Sequence, residues 1–195
     1  MSNHSLQSDP EPVDGPLSSA VRRRDMITIR EEQPRDIKTI RNLNKRAFGQ
    51  THEADLVDKL RQTCDDLLSL VALMQNEVVG HILFTPVIVE GEDSMVQGMA
   101  LAPMAVLPEY QRQGIGSALV STGIEKLKKR QCPFIIVLGH AEYYPRFGFE
   151  PASRYGIRSE WEVPDDAFMI LVIGEYEMRG GVALAKYRPE FSESM

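Results

Sequence analysis

The segment Leu107–Ser117 combines the residue types that bind a phosphate group. It reads Leu-Pro-Glu-Tyr-Gln-Arg-Gln-Gly-Ile-Gly-Ser and lies between an apolar run and a stretch with helical periodicity. The first amide groups of a helix have no partner within the helix and carry a partial positive charge, so such a junction is typical of an anion site. Gly114 and Gly116 let the backbone approach a ligand, and residues 111–113 add side-chain donors. The pattern favours a pyrophosphate site over a simple tight turn.

Two nucleotide-binding signatures do not fit this loop. A dinucleotide fold needs G-x-G-x-x-G, with an acidic residue about 20 residues later. Here the position three after Gly116 is Leu119. The phosphate loop of nucleoside triphosphatases needs G-x-x-x-x-G-K-[ST], and the sequence contains no such run. A nicotinamide-dependent oxidoreductase is therefore disfavoured, and the pyrophosphate is expected to belong to another class of cofactor.

A second motif, Tyr143-Tyr-Pro-Arg-Phe-Gly-Phe149, follows downstream. Gln111–Gly116 resembles the Q/R-x-x-G-x-G/A motif of the GNAT superfamily of acyl-CoA-dependent N-acetyltransferases. Tyr144 and the Gly-Phe pair that ends the second motif resemble the Y-x-x-x-G-F element of the same superfamily, with most similarity to its YhbS-type branch. The resemblance is most specific over residues 101–149 and follows the order of elements more loosely over residues 26–173.

The resemblance implies a fold and a co-substrate. The implied fold is a single α/β (α+β) domain with a mixed, mostly antiparallel central sheet, flanking helices and a splayed pair of parallel strands. The implied co-substrate is acetyl-CoA. Its pyrophosphate would bind to the motif Gln111–Gly116, called the glycine loop below, and its pantetheine arm would lie along the preceding strand. The residues that the resemblance assigns to cofactor binding are Met104, Ala105, Val106, Gln111, Arg112, Gln113, Gly114, Ile115, Gly116 and Ser117.

In such enzymes the amine attacks the thioester carbonyl directly, and no acyl-enzyme forms. A backbone amide near Val106 would polarise that carbonyl. Tyr144 would be the catalytic residue that protonates the departing thiolate, since a phenol has a reference pKa of about 10 and a thiol one of about 8.5. A tyrosine packed in the core is the alternative, and the position within the motif favours Tyr144 over Tyr143.

The general base stays open at this stage. Many relatives carry a glutamate on the strand before the glycine loop, but residues 101–106 read Leu-Ala-Pro-Met-Ala-Val. His140 and Glu142 are the leading candidates, His81 and Glu109 are weaker ones, and a chain of water molecules could serve instead. The expected function is acetyl transfer to a primary amine of unknown identity. The missing carboxylate keeps a non-catalytic acyl-CoA-binding module or sensor as the alternative.

Hydrophobic patterning supplies the elements that must position these residues. The predicted elements are a strand from Met26, helices over Pro34–Phe48 and Glu53–Gln62, strands over Leu67–Met74, Val78–Val89 and Met95–Val106, a helix over Ile115–Arg130, a strand over Phe134–Leu138, a short helix over Ala141–Phe147, and strands over Phe168–Ile173 and Val182–Lys186. Proline removes a ladder donor, so the strand that contains Pro103 must be bulged, splayed or at an edge. The strands on either side of the long helix should be parallel.

Composition narrows the class of protein further. With 195 residues, the chain suffices for one domain, expected over residues 26–195 after a disordered tail over residues 1–25. A net charge of −6 disfavours nucleic-acid binding. Two cysteines without a C-x-x-C motif favour a reduced, cytoplasmic setting. No apolar run approaches the roughly 18 residues that span a bilayer, so no membrane association is expected.

The remaining polar and aromatic residues give weaker signals. The four histidines have no metal-ligand spacing, so no metal is expected, and Cys64 and Cys132 should be buried. Trp161 either lines an acceptor pocket or anchors its loop on the core. The acceptor is expected to be a small-molecule or peptide amine, and the protein a monomer or a homodimer.

Overall fold

A computed structural model describes residues 27–175 and 181–193, so the tail expected over residues 1–25 lies outside the described part of the chain. Within that part, nine strands form one mixed sheet. The strands are β1 Ile27–Glu31, β2 Leu68–Met74, β3 Glu77–Glu90, β4 Met95–Val106, β5 Phe134–Leu138, β6 Glu150–Pro151, β7 Ile157–Ser159, β8 Phe168–Val172 and β9 Ala183–Lys186. The helices are α1 Ile37–Phe48, α2 His52–Thr63, α3 Ile115–Lys129 and the short α4 Pro189–Ser192.

The sheet has the order β1-β2-β3-β4-β5-β8-β6, and β9 pairs with both β3 and β7. The predicted fold class is confirmed: most pairs are antiparallel, while β4 and β5 are parallel, as expected for strands that flank a helix. Hydrophobic patterning missed β6 and β7, because strands of two and three residues are too short to show a period. The segment Ala141–Phe147 contains only a 3-10 turn over Tyr144–Phe147, not a longer helix.

Two helical layers cover opposite faces of the sheet. The side chains of Ile82 and Phe84 on β3 pack in a cluster with α3. The side chain of Leu83, between them, packs in another cluster with α1 and α2. Because successive side chains of a strand point to opposite faces, α3 lies on one face and the α1–α2 pair on the other.

The parallel pair β4–β5 is short. The two strands pair only at Met99 with Ile135 and at Ala100 with Ile136. Farther along β4, the register with β3 shifts by one residue, so that Ala102 and Pro103 together lie opposite Leu83. Of the alternatives predicted for the strand with Pro103, the structure shows the bulge, and pairing with β5 has already ended at Ala100.

A buried polar network ties the α1–α2 layer to the sheet. His81 on β3 is completely buried, with Nε2 3.0 Å from Oγ of Ser69 and Nδ1 3.4 Å from Nδ2 of Asn44. Ser69 also hydrogen-bonds the carboxylate of Glu32, which in turn pairs with Arg61 at 2.6 Å. Burial, together with the smaller effect of the positive charge of Arg61, lowers the pKa of His81 to about 3. The imidazole is therefore neutral, with Nδ1 accepting from Asn44 and Nε2–H donating to Ser69.

Replacement of His81 by Gln should weaken the pH dependence of stability. The unfolded chain binds a proton on His81 below about pH 6.5, whereas the folded protein does so only near pH 3. Folded wild type thus loses stability as the pH falls through this window. Between pH 6.5 and pH 5, the free energy of unfolding in urea should fall by about 1.6 kcal/mol more in the wild type than in H81Q. Replacement of the exposed His52 by Gln is the matched control, and equal losses in wild type and H81Q would contradict the prediction.

Candidate active site

A cleft of about 980 Å³ opens where β4 and β5 separate. It is lined by residues from β4, the glycine loop, the start of α3, the end of β5, the turn after β5 and the α1–α2 connection, by which we mean residues 48–53, from the end of α1 to the first turn of α2. These residues are Phe48, Glu53, Leu101, Ala102, Pro103, Met104, Val106, Tyr110, Gln111, Arg112, Gly114, Ile115, Gly116, Ser117, Leu138, Gly139, His140, Tyr143, Tyr144 and Arg146. The strand opening thus brings together segments that are far apart in the sequence.

The N-terminus of α3 forms one part of this cleft. Gly114 caps the helix with a φ of 88°, in the left-handed region that favours glycine. The amide of Ala118 donates to the carbonyl of Gly114 at 2.9 Å, so the amides of residues 115–117 precede the helical hydrogen-bond ladder. A Cβ on Gly116 would lie 2.9 Å from the hydroxyl of Tyr143. Glycine therefore keeps this helix end open for a ligand.

Eight of the ten residues assigned to the cofactor line the cleft, and Ala105 and Gln113 do not. Ala105 is buried and lies opposite His81 in the sheet. Nε2 of Gln113 donates to the carbonyl of Glu109 at 3.1 Å, and Nε2 of Gln111 donates to that of Val106 at 3.0 Å. These glutamine side chains thus hold the loop together, which leaves Arg112 as the charged donor of the loop.

Tyr144 and Tyr143 both line the cleft, in different surroundings. The ring of Tyr144 is buried against Gly139, so closely that a Cβ on Gly139 would lie 2.4 Å from Cε2 of the tyrosine. Burial raises the pKa of the Tyr144 phenol above its usual value. Tyr143 reaches the start of α3, with its hydroxyl 3.5 Å from Oγ of Ser117. The guanidinium carbon of Arg146 lies 4.6 Å from the centroid of the Tyr143 ring. The Tyr144 phenol is therefore buried and protonated at neutral pH, whereas the Tyr143 hydroxyl lies at the N-terminus of α3.

The residues considered as general bases lie in different places. His140 is exposed and lines the cleft, whereas Glu142 is exposed and is absent from the lining residues. His81 is sealed in the buried network. Glu109 accepts hydrogen bonds from Nη2 of Arg46 at 2.9 and 3.1 Å, outside the cleft. Of these candidates, only His140 borders the cleft.

Glu53 also lines the cleft, although it belongs to none of the sequence motifs. It lies in the first turn of α2 and is half-buried. Nε2 of Gln50 is 3.1 and 3.3 Å from its two carboxylate oxygens. An acidic residue in a first helical turn is ordinary helix chemistry, so no sequence signal distinguished Glu53 from other helix-start carboxylates.

Trp161 anchors its loop instead of lining the cleft. Its ring centroid is 4.7 Å from that of Tyr187, and both rings pack against the cluster beneath α1 and α2.

Cys64 and Cys132 are buried as predicted, and burial raises the pKa of both thiols. Across residues 27–175 and 181–193, no three His, Cys, Asp or Glu side chains are grouped so as to hold a metal ion. No helix in those ranges has the length and apolarity to cross a membrane.

Residues 37–149 match the family model described as the acetyltransferase (GNAT) family. YjhQ of Escherichia coli K12 is 45% identical over 134 residues, which are 67% of this chain and 74% of YjhQ. YhbS of the same strain is 34% identical over 167 residues, which are 85% of this chain and 99% of YhbS. Both relatives are described as uncharacterized N-acetyltransferases.

Two crystal structures extend this similarity to the fold. Escherichia coli YhbS in complex with CoA superposes with a TM-score of 0.77 at 29% identity, covering 96% of each chain. A GNAT acetyltransferase from Brucella melitensis in complex with acetyl-CoA gives 0.67 at 32% identity, covering 85% of this chain and 97% of that one. Since the family model spans more than half of the sequence and YhbS aligns over most of it, the chain belongs to the GNAT family of acetyltransferases.

Proposed function

We propose that this protein is an acetyl-CoA-dependent N-acetyltransferase that transfers the acetyl group directly to a primary amine. The observation that carries the proposal is the single cleft in which a helix N-terminus, the separated end of β4 and the phenol of Tyr144 meet. The CoA and acetyl-CoA in the two crystal structures of similar proteins support the choice of co-substrate.

In this proposal the glycine loop binds the pyrophosphate of acetyl-CoA. The amides of residues 115–117 and the guanidinium of Arg112 supply donors for the anionic oxygens. The pantetheine arm would follow β4 beyond Ala100, where pairing with β5 has ended. Its amide groups can pair with the backbone of residues 102–106 as an added strand would. Met104 and Val106 line the cleft along this stretch and would border the arm.

The transfer step forms a C–N bond and breaks the C–S bond of the thioester. A backbone amide near Val106 stabilises the charge that develops on the carbonyl oxygen. Tyr144 donates a proton to the sulfur as it leaves. Because a phenol is a weaker acid than a thiol in water, this donation depends on the negative charge that develops on the sulfur. Burial raises the pKa of Tyr144 and makes it a weaker acid, so its proton moves only once that charge is present.

Replacement of Gly116 by Val should reduce affinity for acetyl-CoA. A side chain at this position meets the hydroxyl of Tyr143 and fills the site proposed for the pyrophosphate. Overpacking costs about 1–3 kcal/mol, so calorimetric titration should show a dissociation constant about 5- to 150-fold higher. Replacement of Ser121, on the exposed side of α3, by Val is the matched control and should bind as the wild type does. Tighter binding of NAD than of acetyl-CoA, or no binding of acetyl-CoA, would contradict the proposal.

Replacement of Tyr144 by Phe should lower turnover and leave acetyl-CoA binding nearly unchanged. Loss of a general acid costs about 10²- to 10⁴-fold in rate, while the ring packing is retained. Thiol release from acetyl-CoA with a panel of primary amines measures turnover, and calorimetry measures binding. Replacement of the partly buried Tyr155, which does not line the cleft, by Phe is the control. If the wild type binds acetyl-CoA but acetylates no amine, the non-catalytic binding module is the better interpretation.

A further inference from the structure

The cleft reaches both helical layers of the protein. Met104 packs with the cluster beneath α3, whereas Ala102 packs with the cluster beneath α1 and α2. Both residues line the cleft, together with Phe48 and Glu53 from the α1–α2 connection. The opening between β4 and β5 therefore connects the glycine loop on one face of the sheet with α1 and α2 on the other. An acceptor can reach the thioester from the α1–α2 face while acetyl-CoA occupies the loop.

The charges along the cleft are separated. Its two arginines, Arg112 and Arg146, belong to the glycine loop and to the turn that carries the tyrosines. Glu53 is the single carboxylate among the lining residues in the described part of the chain. The positive charges thus belong to the segments where an anionic cofactor would bind, whereas the negative charge of Glu53 belongs to the α1–α2 connection.

Glu53 is held in a defined orientation. Its carboxylate interacts with the amide nitrogen of Gln50 through both oxygens, at 3.1 and 3.3 Å. Each carboxylate oxygen has two lone pairs, so capacity remains for a further donor. Gln50 is accordingly a positioning residue for Glu53, and the free capacity suits an ammonium group.

Apolar side chains accompany this carboxylate. Phe48 is 40% exposed and Leu138 is 38% exposed, and both line the cleft. Large exposed apolar side chains are few in the described residues, and the others are Ile37, Met95, Val182 and Leu184. Apolar surface inside a cleft with a few polar groups is typical of a small-molecule site. The cleft therefore combines one anion with exposed apolar surface.

We propose, on the basis of the function proposed above, that Glu53 binds the ammonium group of the acceptor and accepts its proton. The acceptor is then a primary amine attached to an apolar group, without a carboxylate beside the nitrogen. One proton passes from the ammonium to Glu53 and on to water, and the neutral nitrogen forms the C–N bond. As the C–S bond breaks, Tyr144 gives its proton to the sulfur, and the second proton of the nitrogen passes through water to the phenolate and restores Tyr144.

A pair of probes with the same apolar group tests this assignment. 2-Phenylethylamine and L-phenylalanine differ by one carboxylate, and thiol release from acetyl-CoA measures kcat/KM for each. The wild type should favour 2-phenylethylamine by at least about 10-fold, since a like charge beside Glu53 costs more than about 1.4 kcal/mol. Hexylamine provides a second probe without a ring.

Replacement of Glu53 by Gln should lower kcat/KM for 2-phenylethylamine by about 10²-fold or more and reduce the preference over L-phenylalanine. Affinity for acetyl-CoA should stay at the wild-type value, which shows that the fold and the cofactor site are intact. Replacement by Asp should restore part of the preference, because the charge is kept. Replacement of the exposed Glu92, in the turn between β3 and β4, by Gln is the matched control.

Three results would overturn the assignment and leave the proposed function standing. These are wild-type kcat/KM in E53Q, a preference for L-phenylalanine, or acetylation of other amines but of neither 2-phenylethylamine nor hexylamine. Loss of activity in H140Q with normal activity in E53Q would instead make His140 the proton acceptor. Failure of the wild type to bind acetyl-CoA would overturn the proposed function itself, so the two failures are distinguishable.

Discussion

The loss of pairing between β4 and β5 is the constraint on which the rest of this structure depends. Pro103 has no amide hydrogen to donate, and the register of β4 against β3 shifts where Ala102 and Pro103 lie opposite Leu83. The two parallel strands pair over two residues of β4 and then diverge. Unpaired backbone in the middle of a sheet is costly unless another group pairs with it. A site whose ligand supplies the missing strand contacts satisfies that requirement.

The two helical layers give the opening its two chemically different ends. On one face α3 presents its N-terminus, and its last turn carries Lys126, Lys128 and Lys129, the charge that the other end of the helix dipole favours. On the other face α1 and α2 place Phe48 and Glu53 beside the cleft. The sheet thus separates the two layers, and in the proposed function the thioester of acetyl-CoA lies in the opening between β4 and β5, within reach of both.

The buried network around His81 maintains the second of these layers. Asn44 on α1, Ser69 on β2 and Arg61 on α2 are joined through His81 and Glu32. These hydrogen bonds join buried and partly buried side chains, and loss of one residue leaves its neighbours in the network without a partner. His81 therefore has a structural role, although its residue type suggested proton transfer. The position of α2, and with it that of Glu53, depends on these hydrogen bonds.

The sequence alone determined the local features: the glycine loop at a strand-to-helix junction, a disturbance of strand pairing near Pro103, the long elements and the tyrosine motif. Each of these features can be predicted from residues that are close in the sequence, through the backbone preferences of glycine and proline or through hydrophobic periodicity. Only the tertiary structure decided which side chains meet. In the tertiary structure His81 is buried in the core, and Glu109 pairs with Arg46. Ala105 does not line the cleft, whereas Glu53 does. Such contacts join residues that are distant along the chain, and side-chain type does not specify a partner across the sheet. The acceptor side that we propose is built from such contacts, which is why the sequence indicated the cofactor and left the acceptor open.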